Sequence, residues 1–360
     1  MATASEILQA LKRTTETIIG ESDLVELLDS GRQLRIKFGV DCTAPDLHIG
    51  HAVNLWMMRR LQDAGHRVVF LLGDLTTRIG DPTGKSETRP ILTTEEIDAN
   101  AAAFLDQVSL VLDTSPTVFE VRRNSEWFDS MDVAALLSLC SMVTHAQLMA
   151  RDMFRERVAE GREIALHELT YPVLQGYDSF AMDSDLTIVG SDQLFNESMG
   201  RHFQQRLGAK PQVVITTTIT PGLDGGPKQS KSLSNYVALR DSPENKFGKL
   251  MSLTDGLVGR FAAVYTDLPI DRVQELEVAA TIGGTAARDA KLFMAEGVVS
   301  RYHGPDVASS CRRDFIRVFS EREHPDMEAV QIPHAHLTVL ELVRAALPHQ
   351  SNSERRRLIT

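Results

Sequence analysis

The sequence predicts an α/β fold in which a doubly wound parallel sheet is followed by an α-helical domain. Short β-branched and apolar runs alternate with helical patterns in the first part of the chain, which is typical of βαβ units. From Pro243 to about His303 helical periodicity dominates. A segment rich in Gly, Pro, Ser and Lys, from Thr220 to Asn235, separates the two parts and predicts a long loop.

Each element has its own signal in the sequence. Apolar and β-branched runs predict strands at Leu34–Val40, Arg67–Leu72, Thr117–Arg122, Leu186–Val189 and Gln212–Thr218. Helical spacing predicts helices at about Gly50–Ala64, Thr94–Leu112 and Gln193–Leu207, a helical stretch from Val133 to Met182, and a helix start at Pro269-Ile270-Asp271. Right-handed crossovers through such helices make the strands parallel.

Composition excludes several classes of protein. The chain has 360 residues, of which 42% are apolar and 24% charged, as in an ordinary globular protein. Its longest apolar run is about five residues, whereas a membrane helix needs ~20, so we expect no membrane partner. The three scattered cysteines and the absence of a signal-like start predict a cytoplasmic protein. A net charge of −11 argues against a protein that binds nucleic acid over much of its surface. The local basic cluster Arg355 to Arg357 could still contact RNA.

A first candidate motif, His48-Ile49-Gly50-His51, lies where a predicted strand meets a predicted helix. Ligands of open α/β sheets bind beyond the carboxyl ends of the strands, where a helix N-terminus offers N–H donors to phosphate. Two imidazoles would add donors, and the glycine would let a flat base approach the backbone. Alone, these four residues are more often the start of a surface helix.

A second candidate motif, Lys228-Gln229-Ser230-Lys231-Ser232, lies in the loop predicted from Thr220 to Asn235. We call this motif the lysine-rich loop. Two lysines three residues apart, with small hydroxyl residues, could form a flexible cationic clamp. Alone, such a segment is more often a solvated basic loop. Gln229 is expected to matter less than its neighbours, because the lysines carry the charge.

Together, in this order and at this separation, the two motifs resemble those of class I aminoacyl-tRNA synthetases. The surrounding sequence resembles the tyrosyl-tRNA synthetase family, most densely from Lys37 to Arg89, and again at Asn124 to Trp127 and His167 to Arg201. The resemblance implies a Rossmann-like catalytic domain over 1–240 with a helical insertion at about 130–171. It also implies an anticodon-binding-like helical domain over 241–330 and the start of an S4-like RNA-binding module, incomplete, over 331–360.

The same resemblance implies the reaction partners and the site residues. The partners would be L-tyrosine, tRNA(Tyr), ATP with Mg²⁺ but no tightly bound protein metal, and a second copy of the chain. Expected catalytic residues are His48, His51, Lys85, Arg89, Lys228 and Lys231. Expected tyrosine-binding residues are Lys37, Asp81, Asn124, Tyr171, Gln175, Asp178 and Gln193, with Asp178 on the hydroxyl, Asp81, Tyr171 and Gln175 on the α-amino group, and Gln193 on the carboxylate. Expected ATP-binding residues are Gly39, Asp41, Thr43, His48, Gly50, His51, Gly190, Asp192, Lys228, Lys231 and Ser232.

Two local sequence patterns each allow more than one structural interpretation. Gly80 to Ser86 is similar to a phosphate-binding P-loop, but it has three residues between its glycines where a P-loop has four, so we reject that interpretation. Tyr171, Gln175 and Asp178 are spaced i, i+4 and i+7 and share one face of a helix. That face could be an exposed polar stripe, but the apolar residues around it favour a pocket.

The chain departs from the family's usual pattern at Cys42, Arg78, Val189 and Gln229, and Lys37 matches only one branch of the family. These departures motivate an alternative, a paralogue that activates tyrosine or an analogue for another pathway. A nucleotidyltransferase of the histidine-motif superfamily is a weaker alternative, because such enzymes are smaller and lack the lysine-rich loop. A non-catalytic RNA-binding protein with a relic site is opposed by the presence of both histidines and both lysines.

Overall fold

A computed structural model describes residues 3–43, 47–81, 92–226, 229, 233, 235–319 and 338–346. The chain divides into two compact units, residues 1–312 and 313–360. The predicted boundary between the catalytic domain and the helical domain, near residue 240, lies inside the first unit. That boundary therefore stays a prediction. The S4-like module stays a prediction too, since only 338–346 of its predicted span are described.

The structure has six described strands, β1 Thr15–Ile19, β2 Arg35–Val40, β3 Arg67–Leu72, β4 Phe119–Arg123, β5 Leu186–Gly190 and β6 Val213–Thr217. The helices before the lysine-rich loop are α1 Ala4–Lys12, α2 Glu21–Asp29, α3 Ile49–Asp63, α4 Asp74–Ile79, α5 Thr94–Val108, α6 Ser125–Phe128, α7 Val133–Ser141, α8 His145–Met149, α9 Asp152–Ala159, α10 Leu166–Ala181 and α11 Leu194–Arg206. After it come α12 Pro243–Met251, α13 Val258–Tyr265, α14 Ile270–Ile282, α15 Gly284–His303, α16 Pro305–Phe319 and α17 Val339–Ala346. Short 3₁₀ turns occupy Ser191–Gln193 and Asp255–Leu257.

The strands form one sheet in the order β1-β6-β5-β2-β3-β4. Edge strand β1 is antiparallel to β6, and all other neighbours are parallel. The chain runs outward from β2 to β3 and β4, then returns to β5 on the other side of β2. The topology therefore reverses between β2 and β5, where ligands of such sheets bind beyond the carboxyl ends of the strands. The predicted doubly wound α/β fold is confirmed.

Some elements differ from those predicted. No element is predicted before Leu34, where the structure has α1, β1 and α2. Strand β1 is a short, half-exposed edge strand, so it lacks the apolar run that marks the central strands. The predicted helical stretch from Val133 to Met182 consists of four helices, α7 to α10. One interruption is visible in the sequence, because Thr144 and Gln147 form a capping box that starts α8.

Helices α10 and α11 carry many of the predicted site residues and pack closely against each other. Gly176 of α10 lies against α11, where an added Cβ would come 2.8 Å from the Phe203 ring and 2.9 Å from Met199. A larger residue at this position would push the two helices apart, because close-packed interiors do not absorb added volume. Their approach brings the polar face of α10 next to the start of α11.

The helices after the lysine-rich loop have a core of their own. Its buried members include Leu250, Phe261, Tyr265, Leu276, Met294 and Val298. In the part of the chain that the structure describes, none of the helices has the length and apolar character needed to cross a membrane.

Candidate active site

A cleft of about 400 Å³ opens at the carboxyl ends of β2 and β5, where the sheet topology reverses. Most of the residues predicted for the site line it, namely Lys37, Gly39, Asp41, Thr43, His48, Gly50, His51, Asp81, Tyr171, Gln175, Asp178, Gly190, Asp192 and Gln193. Asn124 is buried and lies behind Asp178. Lys85, Arg89, Lys228, Lys231, Ser232 and the Arg355 to Arg357 cluster lie outside the described residues.

The two histidines stand at the start of α3, and their hydrogen bonds select the tautomers. His48 Nδ1 accepts from the Gly50 N–H at 3.1 Å, and His51 Nδ1 accepts from the His48 N–H at 3.2 Å. A neutral imidazole that accepts at Nδ1 carries its proton on Nε2. Each ring therefore has an Nε2–H donor at the positive end of the helix dipole, an arrangement suited to a phosphate group.

Gly50 is required by the close approach of its neighbours. An added Cβ would lie 2.9 Å from the His48 ring and 3.6 Å from the Gln229 amide nitrogen. Gln229 is buried, and its Nε2 donates to Thr220 Oγ1 at 3.1 Å and to the Tyr265 hydroxyl at 2.9 Å. Gln229 of the lysine-rich loop therefore contacts Tyr265 of α13 through a hydrogen bond. The charge of the neighbouring lysines does not by itself predict this contact.

Carboxylates line the wall of the cleft beside Tyr171. The Tyr171 hydroxyl donates to Asp41 Oδ2 at 3.0 Å, and Asp81 Oδ2 accepts from Gln193 Nε2 at 2.8 Å. Burial and the charges of Asp41 and Asp81 raise the pKa of Tyr171 well above its ordinary value, so its hydroxyl keeps the proton. This wall offers acceptor oxygens to a cationic group such as an ammonium.

Asp178 lies buried at the floor of the cleft and receives hydrogen bonds from the α6 region. Trp127 Nε1 donates to its Oδ1 at 3.0 Å, and Asn124 Nδ2 lies 3.5 Å from its Oδ2. Burial raises the pKa of Asp178 to about 8, although the Lys37 ammonium and the two donors act to lower it. A ligand that brought only apolar atoms to this floor would leave polar groups unpaired.

An ion pair completes the floor. Lys37 Nζ lies 2.9 Å from Glu197 Oε2 and donates to Ser179 Oγ at 2.8 Å. Glu197 also accepts from Gln175 Nε2 at 2.9 Å, through Oε1. The polar face of α10 is therefore joined to β2 and α11 by charged and amide groups.

The other end of the cleft is built from the ends of two neighbouring strands. Gly39 lies near the end of β2 and Gly190 ends β5, while Asp192 and Gln193 belong to the 3₁₀ turn that follows β5. A carboxylate in this position can accept hydrogen bonds from sugar hydroxyls.

Sequence reasoning missed three contributors to the site. Glu197 resembles an exposed helix residue in the sequence, yet it lines the cleft. Thr76 donates to Asp41 Oδ1 at 2.9 Å from the short helix α4, which was not predicted. Trp127 was part of the quoted resemblance, but its hydrogen bond to Asp178 depends on tertiary contacts that periodicity does not show.

Metal-ligating side chains do not gather into a site within the described residues. Among them, no group of three or more His, Cys, Asp or Glu is arranged to hold an ion.

Comparisons with known proteins agree with this architecture. The family model described as "tRNA synthetases class I (W and Y)" matches residues 29–320. The tyrosine–tRNA ligase of Francisella tularensis is 39% identical over 100% of this chain and 90% of its own length. That of Thermotoga maritima is 41% identical over 99% of this chain and 89% of its own.

Solved structures share the fold. Tyrosyl-tRNA synthetase of Archaeoglobus fulgidus, complexed with L-tyrosine, has a TM-score of 0.66 at 22% identity and covers 86% of this chain and 99% of its own. A C-terminally truncated mitochondrial tyrosyl-tRNA synthetase of Aspergillus nidulans has a TM-score of 0.69 at 21% identity and covers 89% and 95%. The family model matched over residues 29–320, together with the relatives that are 39% and 41% identical, establishes that the chain belongs to the class I tRNA synthetases of the W and Y family.

Proposed function

We propose that this protein is a tyrosine–tRNA ligase, which activates L-tyrosine with ATP and transfers the tyrosyl group to tRNA(Tyr). The observation that carries this function is the floor around Asp178, where Trp127 and Asn124 converge on a carboxylate that can accept the phenol hydroxyl. Curated tyrosine–tRNA ligases about 40% identical along nearly the whole chain support it.

In the first step, a carboxylate oxygen of tyrosine attacks the α-phosphorus of ATP, and the bond to the bridging oxygen breaks to release pyrophosphate. Asp81, Tyr171 and Gln175 would hold the α-ammonium, and Gln193 would orient the carboxylate. The Nε2–H groups of His48 and His51 would stabilise the charge that grows on the phosphates. Positioning supplies the rest, because no covalent enzyme intermediate is needed.

In the second step, a terminal ribose hydroxyl of tRNA attacks the tyrosyl carbonyl carbon, and AMP leaves. Mg²⁺ accompanying ATP would neutralise phosphate charge. The phosphate chain is proposed to be contacted by four basic residues, Lys85, Arg89, Lys228 and Lys231. The ATP ribose is proposed to be contacted by Asp192. The helices after the lysine-rich loop are proposed to bind the tRNA.

The assay that tests this function is aminoacylation. Purified protein with ATP, Mg²⁺ and tRNA(Tyr) transcript should form tyrosyl-tRNA, measured as acid-precipitable tyrosine. Val189 and Gln229 line the cleft, whereas Arg78 and Cys42 lie outside its described lining, so Val189 and Gln229 are the departures best placed to alter the substrate. Activation of tyrosine without charging would instead support the paralogue, which would pass its adenylate to another acceptor.

The raised pKa of Asp178 predicts a pH dependence of tyrosine binding. Below a pKa of about 8 the carboxyl is mostly neutral, and as the pH rises through that value it becomes the stronger, charged acceptor. KM for tyrosine should therefore fall about fivefold between roughly pH 6.5 and 8.5. Measuring KM in pyrophosphate exchange for the wild type and Asp178→Asn checks this, because the amide does not titrate and its profile should be flat.

We also propose that the protein is a homodimer formed through the insertion that carries α7 to α9. The insertion has exposed apolar side chains, each more than half accessible: Val133, Leu137, Val158 and Leu166. Exposed apolar side chains can mark a protein–protein interface. Sedimentation should give a dimer, and Leu137→Glu should shift it to monomer. Ile282→Glu, at a still more exposed apolar position on α14, should leave the dimer intact. A wild-type monomer at all concentrations would contradict the assignment.

We place the protein in the cytoplasm. Cys42 and Cys140 are free thiols, which suits a reducing compartment.

A further inference from the structure

Glu197 occupies a position in the cleft that neither motif predicts. It is 1% exposed, at the first turn of α11, and its carboxylate receives three donors. Oε2 pairs with Lys37 Nζ at 2.9 Å and accepts from Gln212 Nε2 at 3.0 Å, while Oε1 accepts from Gln175 Nε2 at 2.9 Å. One buried side chain therefore contacts both Lys37, on the floor of the cleft, and Gln175, on its wall.

The contact with Gln175 determines how that amide is turned. A carboxylate only accepts hydrogen bonds, so Gln175 must present its nitrogen to Glu197 and its oxygen elsewhere. Gln175 Oε1 is buried and has no hydrogen-bond partner among the described residues. An unpaired acceptor in the lining of a cleft is a binding position for a donor, here the ammonium of an amino acid.

The contact with Lys37 affects the charge balance around Asp178. Asp178 is faced by Lys37 from β2, Glu197 from α11, and the donors Asn124 and Trp127. Stability alone does not require the Lys37–Glu197 pair, because packed apolar side chains are often as stable as a buried ion pair. The ion pair is better explained by its effect on the positions of the Lys37 ammonium and the Gln175 amide.

We propose that Glu197 is a positioning residue for tyrosine activation: it holds the Lys37 ammonium beside the phenol end of the pocket and turns the Gln175 carbonyl toward the α-ammonium end. This inference rests on the proposed function, since its substrate is the tyrosine of that reaction. Glu197 itself would touch neither reacting atom.

The test is Glu197→Gln in tyrosine-dependent ATP–pyrophosphate exchange. The neutral amide can turn either way, so it no longer enforces the orientation of Gln175 and leaves Lys37 without its counter-charge. KM for tyrosine should rise by at least about tenfold, whereas KM for ATP should stay within about twofold. The pH at which KM for tyrosine falls should move lower, because the charge of Glu197 acts to keep Asp178 protonated.

Glu168→Gln is the matched control. Glu168 is also a buried carboxylate, paired with Arg157, and lies outside the described lining of the cleft. It should leave both KM values and the pH profile unchanged. If Glu197→Gln does not fold, Glu197→Asp replaces it, because a side chain one methylene shorter cannot keep both contacts and should also raise KM for tyrosine.

The outcomes separate the two claims. Wild-type exchange with tyrosine, together with unchanged KM and pH profile in Glu197→Gln, would overturn the role of Glu197 and leave the proposed function standing. Failure of the wild type to exchange with tyrosine would overturn both.

Discussion

Replacing Asp178 with alanine should lower kcat/KM for tyrosine in pyrophosphate exchange by about 10²-fold or more. The substitution removes the acceptor for the phenol hydroxyl and leaves the Trp127 and Asn124 donors without the carboxylate they now contact. KM for ATP should change little, because the nucleotide end of the cleft is built from other residues. Steady-state exchange at varied tyrosine and varied ATP separates the two effects.

Phenylalanine is the internal control for this variant. A pocket that hydrogen-bonds a substrate hydroxyl rejects an analogue without it, and tyrosyl-tRNA synthetases are themselves the standard example, at about 10⁵-fold. Asp178→Ala should lose tyrosine activity while its weak activity with phenylalanine stays near the wild-type level, so the preference shrinks. A preference as large as that of the wild type would show that the hydroxyl is recognised elsewhere.

Replacing His48 or His51 with alanine should slow adenylate formation by about 10²–10³-fold for each donor lost. The contact to the phosphates is made chiefly in the transition state, so tyrosine affinity should hardly change. Single-turnover formation of tyrosyl-adenylate, with tyrosine binding measured separately, checks this. Lys228→Ala and Lys231→Ala are expected to have the same pattern.

The tautomer assignment allows a sharper comparison at the same positions. Glutamine can place its amide nitrogen near the position of the histidine Nε2, whereas the asparagine amide lies nearer Nδ1. His51→Gln should therefore recover part of the rate that His51→Asn loses. Equal rates for the two variants would contradict the assignment of Nε2–H as the donor.

The central fold could be predicted because its strands bury continuous apolar runs. Arg67–Leu72 was predicted with the bounds that β3 has, since nearly every side chain there faces the core. Edge strand β1 was missed because it is half exposed and pairs with β6, far along the chain. Local patterns do not report such distant pairing.

The site could be predicted where spacing alone joins its residues. Tyr171, Gln175 and Asp178 share a face of α10, so periodicity brings them together and the structure places them in one cleft. Glu197 was missed because its burial depends on contacts with residues distant in the sequence, such as Lys37 on β2. The pairing of side chains across the cleft depends on tertiary packing. The local pattern of a single segment does not reveal that packing.

Tyrosine activation is tested by amino-acid-dependent ATP–pyrophosphate exchange with each of the twenty standard amino acids. We predict strong exchange with tyrosine and exchange near background with the other nineteen, phenylalanine included. The Asp178 floor requires this result, because only the phenol of tyrosine places a donor at the end of an aromatic ring. Exchange driven equally by phenylalanine, or by an amino acid other than tyrosine, would contradict the assignment of this cleft as a tyrosine-activating site.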